Sequence, residues 1–325
     1  MQKRKLGTRG PEVSALGFGA MSFGGLFGPT DTAESLRCLD ALPEAGINFI
    51  DTANIYGMGI SETVIGQWLA SRRPQGIVLA TKASIVSGPP RRIDNSAAYL
   101  RAELEGSLRR LGVERVDLFY IHRREQARPL DEVIGTLQAL EQEGKIGGYG
   151  LSEVAPETLR QAHAIHPCTA VQNEYSLWTR QPELGLLQEC ARLGVAFVAF
   201  SPLARGMLGD QPLRLDQVQD GFRARNPRFT EPNFSRNLAR IDRFRDWCAA
   251  RGWKTPAVAL AWTMAAGDHV IPIPGTRRAE RLQEWLALPE LTAADMADIA
   301  AILPAGFAAG DRYGDDQLTG IERYC

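Results

Sequence analysis

Residues 48–57 have the sequence NFIDTANIYG, and this stretch decides the fold. The apolar residues Phe49 and Ile50 lead directly into the carboxylate of Asp51, and Tyr56 follows on a loop five positions later. In barrels of alternating strands and helices, the reactive groups lie where parallel strands run into loops. We therefore expect Asp51 and Tyr56 to lie at the carboxyl end of such a strand.

Seven further segments share this short, almost wholly apolar character, which is typical of strands buried on both faces of a parallel sheet. The eight segments predict strands at 16–20, 47–51, 77–82, 116–121, 146–151, 170–173, 195–201 and 270–273. Helices are predicted between and after them at 31–45, 61–71, 95–111, 130–143, 156–164, 182–193, 234–251, 256–266 and 278–288. Eight strand–helix units favour an α/β fold of the closed (β/α)8 TIM barrel type over an open doubly wound sheet.

Three segments lie outside these units. Residues 3–15 contain the turn signal GTRGP and predict a β-hairpin at one end of the barrel. Residues 292–303 predict an extra C-terminal helix, which a Gly- and Asp-rich tail follows. Residues 202–231 have no period, and connections of this length are usually functional or disordered, so we expect a loop that closes over a ligand. The sequence shows no linker, and we expect one domain over residues 1–325.

The composition argues against several classes of protein. The 37 basic and 38 acidic residues leave a net charge of −1, whereas a nucleic-acid-binding protein needs clustered positive charge. No apolar run reaches the roughly 18 residues of a membrane span. The basic residues 1–7 are not followed by the apolar segment of a signal peptide. The five cysteines are scattered and include no CxxC pair, which suits free thiols, so we expect a cytoplasmic protein.

Lys82 and His122 repeat the arrangement of Asp51, because each ends or directly follows an apolar strand, in LATK and FYIH. A free phenol has a pKa of about 10, too high for ready proton donation at neutral pH. A nearby ammonium lowers that pKa, and a buried ammonium needs a partner such as Asp51. A neutral imidazole at His122 would donate a hydrogen bond to a carbonyl oxygen. The four residues therefore predict a proton donor, Tyr56, matched to a carbonyl that becomes an alkoxide.

Other segments permit competing interpretations. GFGAMS at 17–22 only approximates the dinucleotide-binding G-x-G-x-x-G, and more Gly and Pro precede any helix, so we favour a tight loop over the barrel mouth. IPGTRRAER at 273–281 follows the last strand and predicts either an anion site or a solvated basic turn.

Glu153 and Glu174 could be the paired carboxylates of a glycoside hydrolase, but that interpretation leaves the phenol and the ammonium unexplained. HAIHPC at 163–168 lies away from the strand ends, and we expect no metal site.

Taken together, these motifs resemble the aldo-keto reductase superfamily over nearly the whole chain. The matching segments are the N-terminal hairpin, GFGAM, FIDTANIYG, ATK, FYIH, GLSE, VQNEYSLW, FSPLARGML and IPGTRR, in the family's order. Residues 308–313 and the Gly-Thr-Arg-Arg turn are most similar to the aryl-alcohol-dehydrogenase-like and perakine-reductase-like branch.

The resemblance implies an NADPH-dependent reductase of a small-molecule carbonyl compound. It implies a catalytic tetrad of Asp51, Tyr56, Lys82 and His122, with Tyr56 as general acid. The implied cofactor-binding residues are Gly19, Met21, Ser152, Gln172, Phe200, Ser201, Leu203, Gly206, Gly275, Thr276, Arg277, Arg281 and Glu284. Within that set, Ser152 and Gln172 match positions that hold the nicotinamide carboxamide, and Thr276, Arg277 and Arg281 match the site of the 2′-phosphate. The expected substrate pocket contains Phe23, Ile85, Arg123 and Trp178, with Tyr313 beside them.

Three positions depart from the family pattern. Glu153 replaces the usual Asn, Phe200 replaces a Tyr that commonly stacks on the nicotinamide, and Trp285 replaces an Asn on the adenine side. A phenylalanine keeps the ring face that stacking needs. A non-catalytic NADPH-binding barrel, serving as a sensor or channel-associated subunit, is the alternative function. The intact tetrad favours the enzyme.

Overall fold

In the described residues, the strands form one eight-stranded parallel sheet and two hairpins. The computed structural model describes residues 1–88 and 90–324. The strands are β1 (Lys3–Lys5), β2 (Glu12–Ser14), β3 (Phe18–Gly19), β4 (Phe49–Asp51), β5 (Val78–Ala83), β6 (Ile85–Val86), β7 (Arg92–Ile93), β8 (Leu118–Ile121), β9 (Tyr149–Ser152), β10 (Ala170–Glu174), β11 (Ala196–Phe200) and β12 (Val270–Ile273). The large sheet has the order β12-β11-β10-β9-β8-β5-β4-β3.

Backbone hydrogen bonds join the first and last strands of this sheet. The N–H of Gly17 donates to the oxygen of Pro272, and the N–H of Gly19 donates to the oxygen of Pro274, both at 2.9 Å. The sheet therefore curls round until its two edges meet, which removes the exposed edges of an open sheet. The predicted (β/α)8 barrel is confirmed.

The helices surround the barrel. They are α1 (Thr32–Glu44), α2 (Ile60–Arg72), α3 (Ala97–Leu111), α4 (Leu130–Gln142), α5 (Pro156–Ile165), α6 (Leu186–Leu193), α7 (Gly221–Ala224), α8 (Asn233–Ala249), α9 (Thr255–Met264), α10 (Gln283–Leu286) and α11 (Ala293–Ile302). The Asp31 carboxylate caps α1 by accepting the N–H of Glu34 at 2.8 Å, and Thr292 caps α11 by accepting the N–H of Asp295 at 3.1 Å. No helix in residues 1–88 and 90–324 is long and apolar enough to cross a membrane.

Two predicted helices were wrong in detail, and one hairpin was missed. The helix expected at 182–193 begins only at Leu186, because Gly185 before it has a φ of 118°, which no helix continues through. A separate 3₁₀ turn occupies Gln181–Glu183. The helix expected at 278–288 is likewise divided into a 3₁₀ turn, Ala279–Leu282, and the short α10. The antiparallel hairpin of β6 and β7 was not predicted, since each strand has only two residues.

The barrel interior is apolar at one end and polar at the other. Its core includes Phe49, Tyr120 and Val198, and the hairpin residues Leu6 and Val13 pack against the same cluster and close the N-terminal end. Successive side chains of a strand point to opposite faces of the sheet. In β4 this alternation turns Phe49 inward and Ile50 out towards the helices, so that the next residue faces inward again at the carboxyl end.

Candidate active site

Asp51 and Lys82 meet at the carboxyl end of the barrel interior. The Lys82 ammonium donates to Asp51 Oδ1 at 2.5 Å and to the backbone oxygen of Thr52 at 2.7 Å. Lys82 is fully buried and Asp51 is almost fully buried. Burial by itself would lower the pKa of Lys82, but the Asp51 carboxylate and the Tyr56 hydroxyl raise it above its usual value, so the ammonium stays charged.

The Tyr56 hydroxyl lies beside this pair. Lys82 Nζ is 3.4 Å from the phenol oxygen and 5.0 Å from the ring centroid. The loop that carries Tyr56 packs tightly against Gly24, where an added β-carbon would lie 2.4 Å from the nitrogen of Gly57 and 2.5 Å from the carbonyl carbon of Tyr56. A glycine at position 24 thus allows the first barrel loop to approach the backbone of the loop that carries Tyr56.

The expected lowering of the Tyr56 pKa was wrong in its net direction. Burial raises the pKa of the Tyr56 phenol above 10, and the Lys82 ammonium opposes that rise without cancelling it. The sequence indicates the opposing charge but not how completely the barrel encloses the phenol. At neutral pH Tyr56 is therefore protonated and able to donate.

His122 completes the group. Its ring lies edge-on to that of Tyr56, with centroids 5.8 Å apart and planes at 84°. Burial holds the pKa of His122 well below its usual value, and the positive charges of Arg123, Lys82 and Arg91 lower it further. The imidazole is therefore neutral at pH 7, as the sequence analysis expected. Its buried Nδ1 has no hydrogen-bond partner among the described residues.

A cleft of about 650 Å³ opens beside this group, with Asp51 and Tyr56 in its lining, whereas Lys82 and His122 do not border it. Every predicted cofactor residue except Ser152 borders it. These residues are Gly19, Met21, Gln172, Phe200, Ser201, Leu203, Gly206, Gly275, Thr276, Arg277, Arg281 and Glu284. The cleft runs from the phenol to the turn that follows β12, so it is long as well as deep.

The two residues predicted to hold a carboxamide already have protein partners. Gln172 donates through Nε2 to Asp51 Oδ2 at 2.8 Å, although it still borders the cleft. Ser152 Oγ accepts from Arg123 Nη1 at 3.2 Å and does not border the cleft. Gln172 thus adds a second contact, beside that of Lys82, that fixes the Asp51 carboxylate.

The far end of the cleft is lined by guanidinium groups. Arg223, Arg277 and Arg281 all border it, and none has a carboxylate within 4.0 Å among the described residues. Burial lowers the pKa of Arg223 to about 10, and the charges of Arg277, Arg281 and Arg205 contribute to that shift. Cations gathered without an anion repel one another, so this end of the cleft favours a phosphate or another anion.

The backbone also approaches closely here. A β-carbon on Gly275 would lie 2.3 Å from the oxygen of Gly19, so the loops after β3 and β12 pass each other with no room for a side chain. Such glycines let backbone N–H groups face a ligand directly. The residues present therefore fit a long ligand that carries anionic groups at one end.

Sequence reasoning missed several lining residues, namely Phe27, Arg214, Gln217 and Arg223. All but Phe27 lie in the aperiodic loop 202–231, which was expected to cover a ligand but offered no spacing to choose residues by. The rings of Phe27 and Phe222 meet edge-on with centroids 5.7 Å apart, and Arg223 lies 5.0 Å over the Phe27 ring. The loop after β11 therefore contacts the loop after β3 across the cleft. The high arginine content of residues 214–228 was the one available signal.

The four predicted pocket residues do not border the cleft. Phe23 is fully buried against Phe18, with ring centroids 5.4 Å apart. Arg123 Nη1 donates a hydrogen bond to the backbone oxygen of His122 at 2.6 Å. Ile85 and Trp178 are also buried. Their contact with a substrate stays a prediction.

Glu153 and Glu174, the alternative carboxylate pair, are engaged with arginines. Glu153 accepts the N–H of Glu174 at 2.9 Å and pairs with Arg312, and Glu174 pairs with Arg205 at 3.0 Å. Burial acts to raise the pKa of Glu174, but Arg205, Arg312 and Arg228 hold it below its usual range. A glycosidase general acid needs a raised pKa, so this pair is not poised for that chemistry.

Comparison with known proteins agrees with this arrangement. A family model described as "Aldo/keto reductase family" matches residues 15–304. A protein of Glycine max described as "Probable aldo-keto reductase 1" is 38% identical over 319 residues, which cover 96% of this chain and 92% of that protein.

Two solved structures are similar over nearly their whole length. The glycerol dehydrogenase AKR11B4 from Gluconobacter oxydans is 30% identical with a TM-score of 0.82, covering 93% of this chain and 94% of that one. The holo form of the aldo-keto reductase AKR11C1 from Bacillus halodurans is 29% identical with a TM-score of 0.78, covering 94% and 97%. The chain belongs to the aldo/keto reductase family, whose members are oxidoreductases that act on carbonyl compounds with a nicotinamide cofactor.

Proposed function

We propose that the protein is an NADPH-dependent reductase that converts an aldehyde or ketone to an alcohol, with Tyr56 as the proton donor. The observation that carries the proposal is one cleft with a protonated, lysine-linked phenol in its lining and unpaired guanidinium groups at its far end. A nicotinamide cofactor with a 2′-phosphate has a reactive ring at one end and an extra dianion at the other, so it matches both ends of the cleft.

The lining residues divide between these ends. Gln172 contacts Asp51 at the phenol end, and Phe200, which also borders the cleft, offers a ring face for the nicotinamide. The segment Ser201–Gly206 and Gly275 border the same cleft and would hold the pyrophosphate. Thr276, Arg277 and Arg281 would hold the 2′-phosphate, with Arg223 as a further cation and Glu284 on the adenine side. The nicotinamide, when bound, supplies the hydride.

The protein's own contribution is position and proton transfer. The substrate carbonyl oxygen lies between the Tyr56 hydroxyl and the His122 imidazole, and each donates a hydrogen bond to it. As negative charge develops on that oxygen, Tyr56 transfers its proton. Lys82 stabilises the phenolate that remains, and Asp51 and the oxygen of Thr52 keep the ammonium in place. Enclosure by the loop after β11 excludes water from the reacting atoms.

The test is consumption of NADPH, followed by absorbance, with a panel of aromatic and aliphatic aldehydes and ketones. Tyr56→Phe should abolish carbonyl reduction and leave the Kd for NADPH nearly unchanged. Tyr120→Phe is the matched control, because that ring lies 5.8 Å from the same ammonium but its hydroxyl is given no part in proton transfer. Near-normal turnover by Tyr56→Phe would refute the assignment of the proton donor. NADPH binding without turnover across the panel would favour a non-catalytic barrel.

The assay is run in both directions. One similar structure is that of a glycerol dehydrogenase, so oxidation of glycerol and other alcohols with NADP⁺ belongs in the panel. In oxidation the same groups act in reverse, and the phenolate stabilised by Lys82 accepts the alcohol proton.

A further inference from the structure

The C-terminal tail contacts the reactive end of the barrel through Arg312. Its guanidinium lies between two carboxylates, with Nη1 3.2 Å from Glu174 Oε2 and Nη2 paired with Glu153. Both carboxylates lie at the ends of neighbouring strands and are only 1% exposed. Two buried carboxylates this close require a shared cation, and Arg312 provides the one that bridges both.

Arg205 is held by the same carboxylate and by the tail. Its Nη2 lies 3.0 Å from Glu174 Oε2, and its Nη1 donates to the backbone oxygen of Arg312 at 2.6 Å and to the side chain of Asn226. The Tyr313 ring centroid lies 4.5 Å from the guanidinium carbon. Arg205 is therefore fixed from two sides, by the end of β10 and by the tail.

The backbone around Arg205 is strained. Ser201, Ala204 and Arg205 have φ values of 51°, 50° and 56°, in the left-handed region that side chains with a β-carbon disfavour. Such conformations persist only where surrounding contacts hold them. The segment Ser201–Gly206 forms part of the cleft wall, and the backbone oxygen of Arg205 accepts a hydrogen bond from Arg223 Nε at 2.9 Å.

We propose that Arg312 and Glu153 are positioning residues for the cofactor. The Arg312 guanidinium fixes Glu174, and the backbone oxygen of Arg312 fixes Arg205. Arg205 in turn holds the strained wall segment Ser201–Gly206, which shapes the cleft and orients Arg223. Glu153 secures Arg312 by pairing with its second guanidinium nitrogen. Glu153, which departs from the family pattern, thus has a role of its own, because its carboxylate binds Arg312 of the C-terminal tail. The inference rests on the proposed NADPH site.

The first experiment measures NADPH affinity in Arg312→Met and Arg312→Lys by quenching of tryptophan fluorescence, for which Trp285 in the cleft wall is a reporter. Arg312→Met should weaken the Kd for NADPH by about tenfold. Its kcat at saturating NADPH should stay within about twofold, because the tetrad is untouched. Arg312→Lys, which keeps one charge but cannot bridge two carboxylates, should fall between.

The second experiment asks whether the effect passes through Arg205. In a double-mutant cycle, Arg205→Met and Arg312→Met should be strongly non-additive in NADPH Kd, because both guanidinium groups bind the same oxygen of Glu174. Glu322→Gln is the matched control. Glu322 also ties the tail to the barrel, through Arg124 at 2.7 Å and the N–H of Ala155 at 2.8 Å, but it makes no hydrogen bond to Glu174 or Arg205 among the described residues. Its effect should be small and additive with that of Arg205→Met.

Removal of Arg312 alone leaves Glu153 as an uncompensated buried charge, which threatens folding. The double variant Glu153→Gln/Arg312→Met removes both charges, and the amide oxygen introduced at position 153 can still accept the N–H of Glu174. This variant should fold with the weakened Kd of Arg312→Met. Unchanged NADPH affinity in it, or a loss in Glu322→Gln equal to that in Arg312→Met, overturns the inference. Failure of the wild-type protein to bind NADPH overturns the proposed function instead.

Discussion

The two ends of the cleft hold their charged groups in opposite ways: those at the phenol end are buried and paired, and those at the far end are partly or fully exposed. At the phenol end, the Lys82 ammonium has the Asp51 carboxylate at 2.5 Å, and Gln172 fixes that carboxylate from behind. At the other end, Arg223, Arg277 and Arg281 lie together with no carboxylate within 4.0 Å among the described residues. The difference indicates that the first end is complete before a ligand arrives, whereas the second needs the charge that the ligand brings. The groups for the chemical step are therefore already positioned, whereas the arginines at the far end make their strongest interactions only when an anionic ligand binds.

The largest effect on activity is expected from removal of Lys82, the cation that is paired with Asp51. In the proposed mechanism the Lys82 ammonium stabilises the phenolate, so Lys82→Met should lower kcat by about 10²- to 10⁴-fold. The Kd for NADPH should change little, because Lys82 holds Tyr56 and not the phosphates. Stopped-flow reduction and fluorescence titration of the same preparation measure the two effects. A large loss of NADPH affinity with normal kcat would mean that the two ends are not independent.

Removing an unpaired cation should have the converse effect. In the proposed NADPH site, Arg277→Ala or Arg281→Ala would lose a charge-assisted hydrogen bond to the 2′-phosphate, about 1.5–3 kcal/mol, so KM for NADPH should rise about 10- to 100-fold. The KM for NADH should change far less, and kcat should be nearly unchanged. Arg278→Ala is the control on the same turn, because Arg278 does not border the cleft. Equal losses for NADPH and NADH would mean that these arginines do not contact the 2′-phosphate.

The smallest expected effect is that of pH on reduction. Burial raises the pKa of Tyr56, so the phenol stays protonated as pH rises, and burial lowers the pKa of His122, so the imidazole stays neutral as pH falls. The value of kcat/KM for the carbonyl substrate should therefore vary by less than about twofold from about pH 6 to 9. A loss of rate on acidification through about pH 6.5 would show that His122 takes up a proton.

Much of this molecule could be predicted from its sequence. The barrel strands are recognisable because a strand buried on both faces must be almost wholly apolar, and a polar residue that interrupts such a run marks the strand end. That is how Asp51 and Lys82 were located. Tyr56 follows Asp51 on the loop after the same strand. Because Asp51 and Lys82 both face the barrel interior at their strand ends, they lie close to Tyr56.

Other features depend on contacts that no local pattern records. Glu153 and Arg312 are separated by 159 positions, and neither spacing nor composition pairs them. The lining residues of the loop after β11 follow no period, because turns and strained backbone conformations set their direction. The net rise in the Tyr56 pKa depends on how much of the barrel surrounds the phenol, which is a property of the folded chain. Helix α6 was extended too far because the sequence does not give the φ of Gly185.

The close packing of Gly24 against the backbone of Tyr56 has a further consequence. The loop after β3 carries Met21 and Phe27 to the cleft, and the same loop packs against the backbone of Tyr56, the proposed proton donor. A methyl group at position 24 would force one of these two loops to move, and because both border the cleft, its shape would change with them.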